Sequence, residues 1–186
     1  MPPEQPFSIV CLSSQPWSAS LPTNRQQIML RAAQAGHEVL FVETGSFVGA
    51  HIWSALRGGG AASVRRLLTT ERVADRISVR KAVNVVPLGH KYGWANRVNW
   101  ALTNRILRRD ARRLPKPVIV WLYDPYAAFC RLGETFAVYD CVDDYPEQAG
   151  EDRRRRELAS RRDSAAASRA RIVFATARPL LERHRR

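Results

Sequence analysis

Six short apolar runs with β character, each parted from the next by a helical or looping stretch, constrain this chain most: residues 8–14, 37–43, 77–87, 118–123, 135–145 and 171–177. Strands that alternate with helices, with no obvious adjacent hairpin, predict an α/β fold. The expected form is Rossmann-like: a doubly wound, mostly parallel six-stranded sheet with helices on both faces. The run VIVWLY at 118–123 is apolar without a break, the pattern of a central strand buried on both sides. Between the runs lie helix signals. Thr23 and Gln26 have capping-box spacing, and Ile28, Met29, Ala32 and Ala33 repeat at helical period before Gly36. Trp94, Val98, Leu102 and Ile106 fall four apart on a helix expected to end near Leu114 and Pro115, and Phe129 falls in a short helix ending at Gly133. Residues 151–170 predict a long helix with Leu158, Ala159, Ala165 and Ala166 on one face, and Pro179 suits the first turn of a last one. Residues 47–68, interrupted by Gly58, Gly59 and Gly60, read as a loop with partial helix.

At 186 residues the chain is expected to form a single domain. No apolar stretch approaches the roughly 20 residues of a membrane-spanning helix, and the N-terminus lacks a basic region before its first apolar run. Cys11, Cys130 and Cys141 make an odd number without Cys-x-x-Cys pairing, which fits reduced core residues in a cytoplasmic protein. The formal charge of +13 is almost all arginine, a bias that GC-rich coding alone can produce, since only Lys81, Lys91 and Lys116 are lysines. Residues 151–186 carry twelve arginines against five acidic groups. Such a face is either a solvated helix exterior or an attraction for anionic membrane, phosphorylated substrate or nucleic acid. Aromatics are not interleaved with those arginines, which argues against nucleic acid.

In a parallel sheet the crevice beyond the carboxyl ends of the strands is where ligands bind. The groups expected there are Ser13 to Trp17, Glu43 and Thr44, Gly89 and His90, Asp124, Asp143 to Tyr145, and Thr176. The segment TFAVYDCVDDY is the most informative: its strand ends in two carboxylates, Asp143 and Asp144, able either to hold a polyhydroxyl ligand or to cap the following helix. Arg25, a cation near a helix start, calls for a ligand or carboxylate partner, or an exposed salt bridge. Dinucleotide chemistry is disfavoured because the turn SSQPWSASLPTN contains no glycine. A phosphate loop and a nucleophile elbow are absent too. His37, His51, His90 and His184 are scattered without metal-ligand spacing, so no structural zinc is expected.

The order SSQPW, Arg25, GHEVLFVE, NVVPLG, VIVWLYDP, VYDCVDDY and IVFATARPLLER resembles the N-terminal half of a GT-B glycosyltransferase. The likeness is to bacterial family-4-type enzymes that build cell-surface polysaccharide. The resemblance implies an acceptor-binding half, with the nucleotide sugar bound by a second domain expected beyond Arg186, and a fragment inactive alone. It implies a retaining, metal-independent transfer without a cofactor, on a sugar or lipid-linked sugar acceptor, in the cytoplasm at the inner face of the membrane. It places Trp17 in the acceptor-facing loop, where the indole either stacks on a sugar or folds onto the core. Asp124 stands where relatives carry a polar residue, often His, touching the acceptor. Asp143 and Asp144 match an acidic pair, Thr176 a small hydroxyl residue, and Tyr145 is a second stacking surface or a core tyrosine. Asp124 and Asp144 are the candidate catalytic groups. A basic nucleic-acid-binding module and a non-catalytic membrane scaffold are the alternatives.

Overall fold

The computed structural model describes residues 5–19, 23–45, 47–54, 56–57, 69–89, 91–127 and 130–185. The six apolar runs become β1 (Ser8–Leu12), β2 (Glu38–Glu43), β4 (Ile77–Lys81), β5 (Val118–Leu122), β6 (Phe136–Cys141) and β7 (Ile172–Ala175). A seventh strand, β3 (Glu71–Ala74), joins them in one sheet of order β3-β4-β2-β1-β5-β6-β7. Every neighbouring pair is parallel except β3 and β4. Residues 71–81 therefore form an antiparallel hairpin that the sequence pattern did not announce. The reason is polarity: ERVA carries no buried side chain because it lies at the sheet edge, so it lacks an apolar alternation. Arg76 takes a positive φ of 58° to close the turn. The β-rich stretch expected to run to residue 87 leaves the sheet after Lys81 and keeps only a bridge between Phe47 and Asn84.

The helices are α1 (Asn24–Gln34), α2 (Val48–Ser54), α3 (Gly93–Ala111), α4 (Tyr145–Gln148), α5 (Arg153–Arg169) and α6 (Arg178–His184). The capping box at Thr23 forms, with Gln26 Oε1 accepting the Thr23 backbone N–H at 2.9 Å. Side chains alternate across the sheet and so divide the core in two. Val10, Leu12, Leu40, Val120 and Leu122 pack with Leu107 and Ala111 of α3, Ala166 of α5 and Leu180 of α6. Ile9, Cys11, Val39 and Phe41 pack on the other face with Met29 and Ala33 of α1. Each large aliphatic buried this way stabilises the fold by about 1.5–3 kcal/mol. All three cysteines are buried and unpaired; Cys130 lies in irregular chain, while Phe129 is outside the described residues.

The face of α3 departs from its apolar spacing. Trp94 and Val98 are exposed, and the buried side consists of Ala95, Asn96, Asn99, Thr103, Leu107 and Ala111. Asn99 and Thr103 are buried because the 83–86 segment lies across them and takes their hydrogen bonds. Thr103 Oγ1 accepts from Val83 N–H at 3.0 Å, and Asn99 Oδ1 accepts from Val85 and Val86 N–H at 2.9 and 2.8 Å.

Counted in chain order, the parallel strands lie 3-2-1-4-5-6, so the order reverses between β1 and β5. That is the switch point, where the connections on either side diverge and leave a crevice.

Candidate functional site

A cavity of about 450 Å³ opens at the carboxyl edge of the sheet, over the ends of β1, β2, β4 and β5. Ser13 and Ser14 follow β1, Glu43 and Thr44 end β2, Asp124 follows β5, and Tyr145 and Gln148 come from α4. Asn96, Asn99 and Trp100 of α3 close it, with residues 82–89 as one wall. Gly45 allows the chains leaving β2 and β4 to touch here: a Cβ on it would lie 1.4 Å from the Ala82 carbonyl oxygen.

Asp124 sits at the switch point itself. The N–H groups of Tyr123 and Asp124 both donate to Leu12 O, at 2.9 and 3.2 Å, which ties the end of β5 to the end of β1. Asp124 Oδ1 accepts Tyr126 N–H at 2.9 Å and so opens the 3₁₀ turn Pro125–Ala127, and Asn96 Nδ2 donates to Tyr126 O at 3.2 Å. Burial pushes the Asp124 carboxyl up to about 6, against the opposing pull of the Tyr126 N–H and of the Arg25 and Arg162 charges. Tyr145 reaches over the same edge, its hydroxyl donating to Tyr123 O at 2.5 Å. Burial raises its phenol above the ordinary value.

Trp17, Arg25, Asp143, Asp144 and Thr176, also singled out in the sequence, are not among the residues that line this cavity. Arg25 is buried, with its guanidinium 5.3 Å from the Tyr123 ring centroid, 3.1 Å from Ser14 Oγ and 3.5 Å from Asp143 Oδ2. A carboxylate, a hydroxyl and an aromatic face thus answer the cation at the start of α1. Asp144 is the N-cap of α4: Oδ1 accepts Glu147 N–H at 3.2 Å, and the two oxygens receive Arg183 at 2.9 and 2.5 Å. Hydrogen bonding from Arg183 holds the Asp144 carboxyl below its usual range. Trp17 lies edge-on to Phe41 at 5.1 Å and lends its backbone N–H to Glu43 Oε2 at 2.8 Å. Thr176 Oγ1 donates to Val142 O at 3.0 Å. His90 lies outside the described residues.

No protein-family model and no curated protein matches this chain. What the cavity can do follows from its own chemistry. Its wall combines apolar area from Phe47, Val86, Leu88 and Trp100 with fixed hydrogen-bonding groups from Ser13, Asn96, Asn99, Glu43 and Asp124. That mixture suits a ligand with both C–H faces and hydroxyls. Asp124 supplies an acceptor whose charge is easily removed, since its proton leaves near pH 6. Asn96, Asn99 and Trp100 were missed in the sequence. The signal was present, because two asparagines three apart interrupt a helix and share one face, but the stronger apolar spacing beside them masked it.

Proposed function

We propose that this domain is the acceptor-binding half of a nucleotide-sugar-dependent, retaining glycosyltransferase of cell-surface polysaccharide or glycolipid synthesis, with a companion α/β domain holding the donor. The observation that carries this reading is Asp124: a carboxyl desolvated at the switch point, in the wall of a cavity whose other groups fit a sugar. There it accepts the hydrogen of the acceptor hydroxyl and aims that oxygen at the donor carbon. Stabilisation of the leaving nucleoside diphosphate falls to the companion domain, so the half alone is inactive.

A second group of residues favours a lipid-linked acceptor. Trp53, Leu56, Tyr92 and Trp94 are all more than half exposed. Trp53 belongs to α2, which is tied to the cavity wall where Val48 N–H donates to Asn84 O at 2.8 Å. Tyr92 and Trp94 stand at the start of α3, just beyond Leu88 and Gly89 of the lining. Arg57, Lys91 and Arg97 flank these residues along the chain, and the Arg57 guanidinium lies 4.6 Å from the Trp53 ring centroid. Aromatic rings flanked by cations match the headgroup level of an anionic bilayer.

The test is flotation and calorimetry of the untagged chain with three vesicle types: neutral, anionic, and anionic bearing a lipid-linked sugar. Anionic vesicles should retain the protein, Trp53→Glu with Trp94→Glu should weaken retention at least tenfold, and the lipid-linked sugar should add saturable binding. Equal retention by neutral and anionic vesicles would remove the role of the cations, and retention by neither would remove the membrane contact. Submicromolar, steeply salt-dependent binding to duplex or single-stranded nucleic acid, with no response to sugar, would replace this reading by a nucleic-acid module.

Asp144 acts at one remove, through α4, which carries Tyr145 and Gln148 into the cavity wall. Asp144→Asn keeps the cap acceptor and removes the charge that Arg183 holds. It is expected to cost about 1 kcal/mol of stability, the scale of a partly solvated ion pair. In the complete enzyme it should lower turnover roughly tenfold, the effect of a displaced positioning element. Steady-state kinetics with unchanged turnover would separate Asp144 from the site.

A further inference from the structure

Three side chains that are distant in sequence meet beneath α6. Cys141 ends β6, Asp163 lies in α5 and His184 closes α6. Their ligand atoms, Sγ, a carboxylate oxygen and an imidazole nitrogen, all lie within 4.8 Å of one another. Cys141 Sγ is 3.8 Å from Asp163 Oδ1, and His184 Nε2 is 3.4 Å from Asp163 Oδ2. All three are shut away from solvent, the imidazole with 5% of its side chain exposed. Among the described residues, His184 Nε2 has no partner in hydrogen-bonding geometry, although it is buried and aimed at the carboxylate and thiol. A buried imidazole nitrogen without a partner is costly, and a group that accepts its lone pair removes the cost.

The geometry points to a divalent-cation site of zinc type formed by Cys141, Asp163 and His184. One thiolate, one imidazole and one carboxylate form a borderline-soft donor set, which prefers Zn²⁺ or Co²⁺ over Mg²⁺ or Ca²⁺. With bonds of about 2.0–2.3 Å, tetrahedral ligand atoms lie roughly 3.3–3.8 Å apart. The 3.4 Å between Asp163 Oδ2 and His184 Nε2 already falls in that range, Cys141 Sγ stands 3.8 Å from the other oxygen of the same carboxylate, and the remaining separations, at most 4.8 Å, close with a movement of about 1 Å. Charge balances as well. On binding, the Cys141 thiol releases its proton to solvent, so thiolate and carboxylate together neutralise the cation while His184 binds as the neutral ring. Tyr139 already donates to Asp163 Oδ1 at 2.5 Å, the outer-shell bond that orients a ligating carboxylate, and leaves Oδ2 towards His184. Arg183 lies 3.9 Å from Asp163 Oδ2, but its guanidinium is held from the other side by both oxygens of Asp144. A metal here joins β6, α5 and α6 and latches the last helix to the sheet, whatever the cavity binds. The sequence showed no ligand spacing because each ligand comes from a different element.

Untagged, chelator-treated protein is titrated with Co²⁺ and followed by absorption. The expected result is one equivalent bound, with thiolate-to-cobalt charge transfer in the near ultraviolet and the visible bands of a tetrahedral ion, all displaced by Zn²⁺. Cys141→Ser should abolish the charge-transfer band, His184→Gln should weaken Co²⁺ at least tenfold, and Cys11→Ser and Cys130→Ser should change neither. Absence of charge transfer in folded protein with excess Co²⁺ overturns the site, leaving a hydrogen-bonded network around Asp163. So does a band that survives in Cys141→Ser. Should that variant not fold, His184→Gln decides the matter from the last helix, and unchanged affinity there overturns the site equally.

Discussion

Asp124→Asn is expected to make the protein more stable at pH 8 and, under the function proposed above, to lower sugar transfer by the two-domain enzyme about 100-fold, the scale of a missing proton acceptor or hydroxyl-orienting group. The two effects share one cause. Burial raises the Asp124 carboxyl from its ordinary 3.8 to about 6, so ionising it costs more in the folded chain than in the unfolded one. As pH rises from about 4 through 6, the unfolded chain gives up this proton first, and the wild type loses stability across that window. Above about pH 6 the loss is complete and constant. Two units correspond to roughly 3 kcal/mol as an upper figure. Asparagine keeps an Oδ1 for the Tyr126 N–H and has no charge to desolvate. Urea melts of the two proteins should therefore nearly coincide in relative stability at pH 4 and separate by pH 8, with the variant above. A constant offset at all pH values would mean that Asp124 titrates as an ordinary carboxyl and has no special environment. Stabilisation with undiminished transfer would detach the strained carboxyl from the chemistry.

What the sequence disclosed and what it concealed divide along one line: whether a residue's role is local or set by a neighbour far along the chain. SIVCL, EVLFVE and VIVWL are dense in apolar and β-branched side chains, so composition alone marks them as strands; β1 is buried on both faces as such a run suggests, whereas Ile119 and Trp121 leave one face of β5 only half-buried. The capping box at Thr23 is equally local and was legible from four residues. β3 was not, because an edge strand with polar side chains owes its existence to pairing with β4 and not to its own pattern. The stripe on α3 misled for a related reason. Trp94 and Val98 have helical spacing, yet the buried face is decided by which groups the 83–86 segment needs, and it needs Asn99 and Thr103. At the candidate site, Asp124 and Tyr145 could be placed because a parallel sheet sends the residue after each strand to one edge. Whether a carboxylate there faces the cavity or a cation could not be read. Arg183, which occupies Asp144, lies 39 positions away, and Arg25, which meets Asp143, lies 118 away.

Arg169→Ala is expected to destabilise the protein by about 3–5 kcal/mol and to lower its melting temperature by about 10 °C, the largest stability loss foreseen for a single polar side chain here. Arg169 stands in the last turn of α5, where a cation also suits the helix dipole, and pairs with Glu134 in the segment entering β6. Both side chains are at least nine-tenths buried. Burial by itself would raise the Glu134 carboxyl, but hydrogen bonds from its own backbone N–H, from Arg169 and from Leu132 N–H outweigh it and hold the carboxyl below its usual value. A folded-state value depressed in this way gives stability that is present above the ordinary carboxyl range and lost as pH falls through the lowered one. Truncating Arg169 leaves Glu134 buried with only backbone donors, and an uncompensated buried charge costs more than the pair contributed. The same segment is held as well by Cys130 and Leu132 in the core, by Asn104 Oδ1 accepting Arg131 N–H at 3.0 Å, and by Arg108 Nε donating to Arg131 O at 2.6 Å. The sharper check is the double variant Glu134→Leu with Arg169→Leu, which removes both charges and should recover most of the loss, because the penalty lies in stranding one ion and not in losing the attraction. Recovery of less than about 1 kcal/mol would show that water reaches the pair and that its burial does not govern its energy. Full recovery, together with weaker acid sensitivity than the wild type, would show that the β5–β6 connection is fastened to α5 by specificity of geometry, which an apolar contact can replace in strength.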